Sequence, residues 1–153
     1  HNGTPPLSQL RDGGGKTTRA SVVRVIDGDT IAARDSNGSD LGRVRILGMD
    51  APEMARDGQP AMCGAQAAKD ELVRLLEGGE VDLLTDPQQP NADRYGRLLR
   101  YVEVDSTDVS ESLIRSGHAP NTSRARSHTR HKDYAAAEDE AQQQKRGLWG
   151  TCL

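Results

Sequence analysis

Ser21-Val22-Val23-Arg24-Val25-Ile26, then Asp27-Gly28-Asp29, then Thr30-Ile31-Ala32-Ala33-Arg34 is the stretch that decides the fold. Its β-branched residues favour extended backbone, and Asp-Gly is a strong reversal dipeptide, so it reads as two strands of an antiparallel hairpin. Downstream, Asp35 to Asp40 enclose Asn37-Gly38 and make a second turn, after which Arg43 to Leu47 form a third strand. Past Pro60, the residues Ala65, Ala68, Leu72, Leu75 and Leu76 recur at helical spacing and stop at Gly78-Gly79, a suitable helix end. Glu80 to Leu84 and Leu98 to Val104 are two more strands, separated by a polar loop from Asp86 to Arg97. Val109 to Arg115 is a short helix ended by Gly117, and Lys132 to Lys145 is an Ala- and Gln-rich helix ended by Gly147. Upstream, residues 1–17 are rich in Gly, Pro, Ser and Thr without apolar period and are expected to be a disordered leader, which leaves one domain over residues 18–153.

Five strands with a helix between the third and fourth follow the order of an OB-type Greek-key β-barrel. The expected class is therefore α+β, a five-stranded barrel with about three α-helices. With no Phe, one Trp and three Tyr, the core must be built from Leu, Val, Ile and Ala, and the few aromatics are expected to hold defined positions. A net charge of -3 argues against a protein that coats nucleic acid electrostatically, so any attraction to phosphate must be local. The one concentrated basic stretch, Arg124, Arg126, His128, Arg130, His131 and Lys132, reads either as a solvated loop before a helix or as a substrate rim. No apolar run approaches the roughly 18 residues needed to span a bilayer.

Three segments carry chemistry: Asp27-Gly28-Asp29-Thr30, Arg45 to Asp50-Ala51-Pro52-Glu53, and Asp93-Arg94-Tyr95-Gly96-Arg97. Carboxylates hold a hard cation and activate water, while guanidiniums neutralise charge growing on phosphoryl oxygens. Each segment has a plainer reading when it stands alone. Asp27 to Thr30 is then only a hairpin turn, Glu53 a helix-capping residue, Arg45 a solvent-facing strand residue, Tyr95 a loop or core anchor. Pro52 makes a stiff corner between Asp50 and Glu53, which suits metal ligation. Asp29 is favoured as ligand with Asp27 behind it, and Trp149 is expected to plug the core beside the C-terminus. Cys63 and Cys152 are either a disulfide that pins the C-terminus or two unrelated thiols, and CxxC or Cys/His zinc spacing is absent.

The chain resembles the staphylococcal nuclease family from about Val22 to Trp149, through Val25-Ile26-Asp27-Gly28-Asp29-Thr30, Arg45-Ile46-Leu47-Gly48-Met49-Asp50-Ala51-Pro52-Glu53 and Asp93-Arg94-Tyr95-Gly96-Arg97. Weaker agreement continues in Leu113-Ile114-Arg115-Ser116-Gly117 and Gly147-Leu148-Trp149. The resemblance implies a calcium-dependent phosphodiesterase on an OB-fold that degrades DNA and RNA with little sequence preference and leaves 3′-phosphate ends. By the same resemblance, Asp29 and Asp50 bind calcium with the carbonyl of Ala51, Glu53 is the general base, and Arg45 and Arg97 grip the phosphate. Arg94 and Tyr95 are expected to add substrate contacts. A secreted or cell-envelope monomer is expected from the family and the possible disulfide, although no export signal is visible in this chain. The family's base-covering tyrosines have no counterpart between His118 and Arg130, so stacking there would fall to His and Arg planes. Two rivals remain: a catalytically inactive OB module that binds nucleic acid or protein, and a structural calcium-binding domain.

Overall fold

The computed structural model describes residues 15–76, 79–122 and 128–152. Strands β1 (Thr17–Asp27), β2 (Thr30–Asp35) and β3 (Asp40–Ile46) form the expected antiparallel meander. Register shifts between Val22 and Arg24 and between Val25 and Asp27 mark irregularities in β1, the kind of feature that bends and twists a strand. This long strand thus pairs with β2 through Ala20 to Asp27 and with β4 (Glu80–Leu84) through Thr17 to Ser21. Helix α1 (Ala65–Leu76) lies between β3 and β4 in the chain and buries Ala65, Ala68, Leu72 and Leu76. β4 pairs antiparallel with β5 (Leu98–Val104), and β5 runs parallel to β3, matching Val44 with Leu98 and Ile46 with Arg100. That last pairing closes the order β3-β2-β1-β4-β5 into a five-stranded barrel, the α+β OB-type architecture expected from the strand order.

Two short elements lie outside the expectation. β6 (Thr107–Asp108) adds to β5, and Asp108 then caps helix α2 (Val109–Arg115) by accepting from the Glu111 N–H at 3.0 Å. Helix α3 (His131–Gln143) is followed by a single turn, α4 (Leu148–Thr151), which makes a fourth helix among the described residues. Of the expected leader, residues 1–14 lie outside the described residues, and β1 recruits Thr17 by pairing it with Leu84. The core is aliphatic as composition requires: Ile31, Val44, Ile46, Leu72, Leu83, Val102, Leu113 and Ile114 are buried.

Two residues of the basic stretch, His128 and Arg130, are buried rather than solvated or on a rim, while Lys132 is exposed. Arg130 is 0% exposed, its Nη1 2.7 Å from Asp108 Oδ2 and its Nη2 2.9 Å from Glu103 Oε2. Its guanidinium also lies over the Tyr101 ring, 4.2 Å from the centroid, and Tyr134 donates to Asp108 at 2.6 Å. The Tyr101 hydroxyl donates to Asp86 at 2.7 Å, so the 2.7 Å contact with His128 uses the Nδ1–H of the histidine as donor. His128 and Arg130 therefore cannot stack on a nucleobase; Arg124, Arg126 and Ser127 lie outside the described residues.

Burial first, and the neighbouring His131, push His128 down to about 4, against the pull of Asp86 and Asp108. The folded protein thus holds this ring neutral, while the unfolded chain titrates it near 6.5, so stability is present above about pH 6.5 and is lost as pH falls toward 4. Between pH 7.5 and 5 the loss from this residue should be about 2 kcal/mol. Denaturant unfolding of the wild type and His128→Gln at both pH values checks it: the wild type should lose that much more than the variant. Asp29 titrates in the opposite sense but is common to both proteins, and equal losses would remove His128 as the sensor.

Candidate active site

The site begins at the β1–β2 turn. The Asp27 carboxylate accepts the Asp29 N–H at 3.2 Å and closes the reversal, while Asp29 itself points inward beside Thr30. Gly28 is required here: a Cβ would sit 2.7 Å from Ala51 Cβ and 2.9 Å from Ala68 Cβ, so only glycine lets the turn nest between α1 and the segment after β3. The Asp29 carbonyl accepts the Ile46 N–H at 2.8 Å, which brings the end of β3 alongside. Arg45, opposite Thr30 in the β2–β3 register, thereby reaches two carboxylates, Asp50 at 2.8 Å and Asp29 at 3.4 Å.

Asp50 is fixed by donating its N–H to the Pro120 carbonyl at 3.0 Å, and the Ala51 N–H donates to Asp29 Oδ2 at 3.0 Å. Glu53 follows the Pro52 corner, and its Oε1 accepts from Arg56 Nη2 at 2.7 Å. On the far side, Asp93 organises a tight loop: Oδ1 accepts the N–H groups of Tyr95 and Arg97, both at 3.0 Å, and Oδ2 accepts from Arg97 Nε at 2.8 Å. Burial raises the Asp93 carboxyl, but these donors outweigh it and hold the group below the usual carboxylate range. Arg97 is thus anchored to Asp93 through Nε rather than through its terminal nitrogens. Tyr95 is 68% exposed with Arg94 stacked on it at 4.9 Å and Arg97 at 5.6 Å, so it is no core anchor.

Asp27, Asp29, Arg45, Asp50, Ala51, Glu53, Tyr95 and Arg97 all line one cleft of about 690 Å³. Arg94 does not line it; its guanidinium donates to the Tyr95 hydroxyl at 2.7 Å. Trp149 is not the expected core plug: α4 puts it on the cleft wall with Leu148 and the disulfide between Cys63 and Cys152, 89 residues apart. By loop-closure entropy such a bridge is worth about 2–4 kcal/mol. Sequence reasoning missed Asp93 as the residue that aims Arg97 and Arg56 as the partner of Glu53. Asp93 was legible in principle, since Asp before a Gly-containing turn commonly accepts from the backbone two residues on.

Burial above all, and then the carboxylate of Asp27, push Asp29 up to about 6 against the pull of Arg45. A buried carboxylate of that kind gains from a nearby cation. Among the described residues no group of three or more His, Cys, Asp and Glu converges on one point. Asp29 and Asp50, both in contact with Arg45, are hard oxygen donors, the type of ligand a calcium-type ion of about 6 to 8 ligands would take, with the remaining positions left to other oxygens.

Barrel and cleft together define an OB-type protein whose cleft joins paired carboxylates to anchored guanidiniums. The chain belongs to the staphylococcal nuclease homologue family, whose model matches residues 43–151. It is 33% identical over 128 residues to a thermonuclease of Staphylococcus hyicus, covering 84% of this chain and 73% of that protein. An uncharacterized endonuclease of Escherichia coli is 34% identical over 134 residues, covering 84% of this chain and 74% of its own. Endonuclease YncB of Bacillus subtilis is 31% identical over 135 residues, covering 88% and 63%.

Proposed function

We propose that the protein is a calcium-dependent nuclease that hydrolyses phosphodiester bonds of DNA and RNA with little sequence preference, at the bond to the 5′ oxygen, leaving 3′-phosphate ends. The observation that carries this reading is the convergence of Asp29, Asp50, Glu53, Arg45 and Arg97 on one cleft. The naming of its relatives as thermonuclease and endonuclease supports it.

Asp29, Asp50 and the Ala51 carbonyl would hold the ion, which when bound supplies charge neutralisation at a non-bridging phosphate oxygen. Arg45 and Arg97 orient the phosphate and stabilise the charge that builds on it during attack. Glu53, at the exposed edge of the same cleft, takes the proton of the attacking water. An inactive binding module would have no need for all five groups, and a structural calcium domain would have no use for Arg45 and Arg97. The disulfide fits an oxidising compartment, in keeping with a secreted or cell-envelope protein. One chain supplies every group, as a monomer requires.

The decisive experiment is cleavage of single-stranded DNA, duplex DNA and RNA by the purified protein, with calcium and then with excess chelator. Cutting that needs calcium supports the proposal, and a folded, calcium-loaded protein that cuts none of the three overturns it. Asp29→Asn should weaken calcium binding at least about tenfold, because one full charge at ~4 Å is worth several kcal/mol even at an effective dielectric of about 20. An unaltered calorimetric calcium titration would refute the ligand assignment.

A further inference from the structure

The segment after Glu53 is built as a small hairpin. Met62 N–H donates to the Glu53 carbonyl at 2.9 Å, Arg56 and Gln59 exchange backbone bonds at 3.1 and 2.8 Å, and Asp57 and Gly58 make the corner at φ values of 51° and 77°. Its foot is tied to α4 through Cys63 and Cys152. Arg56 thus stands on a preorganised turn, with a side chain 67% exposed and one described partner, Glu53. It lines both the catalytic cleft and an adjoining hollow of about 480 Å³, so it marks the point where the groove continues past Glu53.

We infer that Arg56 binds the phosphate next to the scissile one, exchanging the Glu53 carboxylate for it. This rests on the nuclease reading above. An exposed ion pair of this kind contributes only about 0–1 kcal/mol, so a phosphate that accepts two N–H bonds from the planar fork displaces it readily. Arg45 and Arg97 are held by Asp50 and Asp93, whereas among the described residues Arg56 is held only by Glu53, the proposed base. The exchange also frees Glu53 Oε1 for the proton of water, which links occupation of the neighbouring position to availability of the base.

The test compares a dinucleoside monophosphate, which has one phosphodiester and no other phosphate, with the same molecule extended by one nucleotide at either end. Arg56→Gln should lower kcat/KM on one of the extended substrates by about tenfold or more, the worth of a charge-assisted hydrogen bond, and leave the single phosphodiester unchanged or faster. Arg56→Lys should recover part of the loss. An equal fall on all substrates would mean that Arg56 acts only through Glu53, and no change would mean an inert surface pair; either overturns the inference. Binding of short single-stranded DNA in chelator, where nothing turns over, separates this from failure of the nuclease reading. There Arg56→Gln should lower the slope of log affinity against log salt by about 0.7, and an unchanged slope would also overturn it.

Discussion

Glu53→Gln should lower kcat by about 10²–10⁴-fold at saturating calcium while calcium affinity stays within twofold. The amide keeps the size of the side chain but removes its charge, its ion pair with Arg56 and its capacity to accept a proton. Glu53 is 60% exposed at its side chain and its described side-chain partner is Arg56, so nothing in the core depends on its charge. Asp29 and Asp50, the carboxylates proposed to hold the cation, are separate residues fixed by separate bonds, Ala51 N–H to Asp29 and Arg45 to Asp50. Stability should accordingly move by less than about 0.5 kcal/mol, as for surface substitutions generally. Steady-state kinetics, a calcium titration and a thermal melt on the same sample make the check. Turnover within a few-fold of wild type would remove Glu53 from the mechanism, and lost calcium binding would make it a ligand instead.

Arg130→Ala should be the most destabilising single change, by about 3–5 kcal/mol. The guanidinium is wholly buried and neutralises Glu103 and Asp108 together, so its removal leaves two buried carboxylates facing a void. It also takes away the cation above Tyr101. Against a total of about 5–15 kcal/mol for a domain of this size, the melting temperature should fall by roughly 10 °C or more. Arg130 does not line the cleft, so the fraction that stays folded should keep its specific activity. Denaturant unfolding followed by Tyr and Trp fluorescence measures the change. A loss below about 1 kcal/mol would mean that water replaces the guanidinium and the cluster is not a buried ion network.

The strands were legible because their signals are local. Glu80–Leu84, Leu98–Val104 and Val109–Arg115 have the bounds expected from pattern alone, set by β-branched runs and by turn and cap residues at their ends. α1 was equally plain, since Ala65, Ala68, Leu72 and Leu76 repeat on one face. The two-residue β6 and the single turn α4 were not, because elements that short carry no period. The basic stretch misled for a related reason. Charge along a chain reads as exposure, and nothing near Arg130 announces Glu103 and Asp108, which arrive from β5 and β6.

The sequence by itself determined the order of the five barrel strands and the three longer helices, the family, and the eight residues that later share one cleft, because strand propensity, turn chemistry and short motifs act over a few neighbouring residues. Only the tertiary structure decided the barrel closure between β3 and β5, the bridging of Asp50 and Asp29 by Arg45, the aiming of Arg97 by Asp93, the pairing of Arg56 with Glu53, and the linkage of Cys63 to Cys152. Most of these depend on groups brought together by barrel closure and helix docking, and the two short-range ones depend on turn geometry. Which charge meets which partner in that packed space is set by three-dimensional distance and burial, quantities that spacing along the chain does not contain.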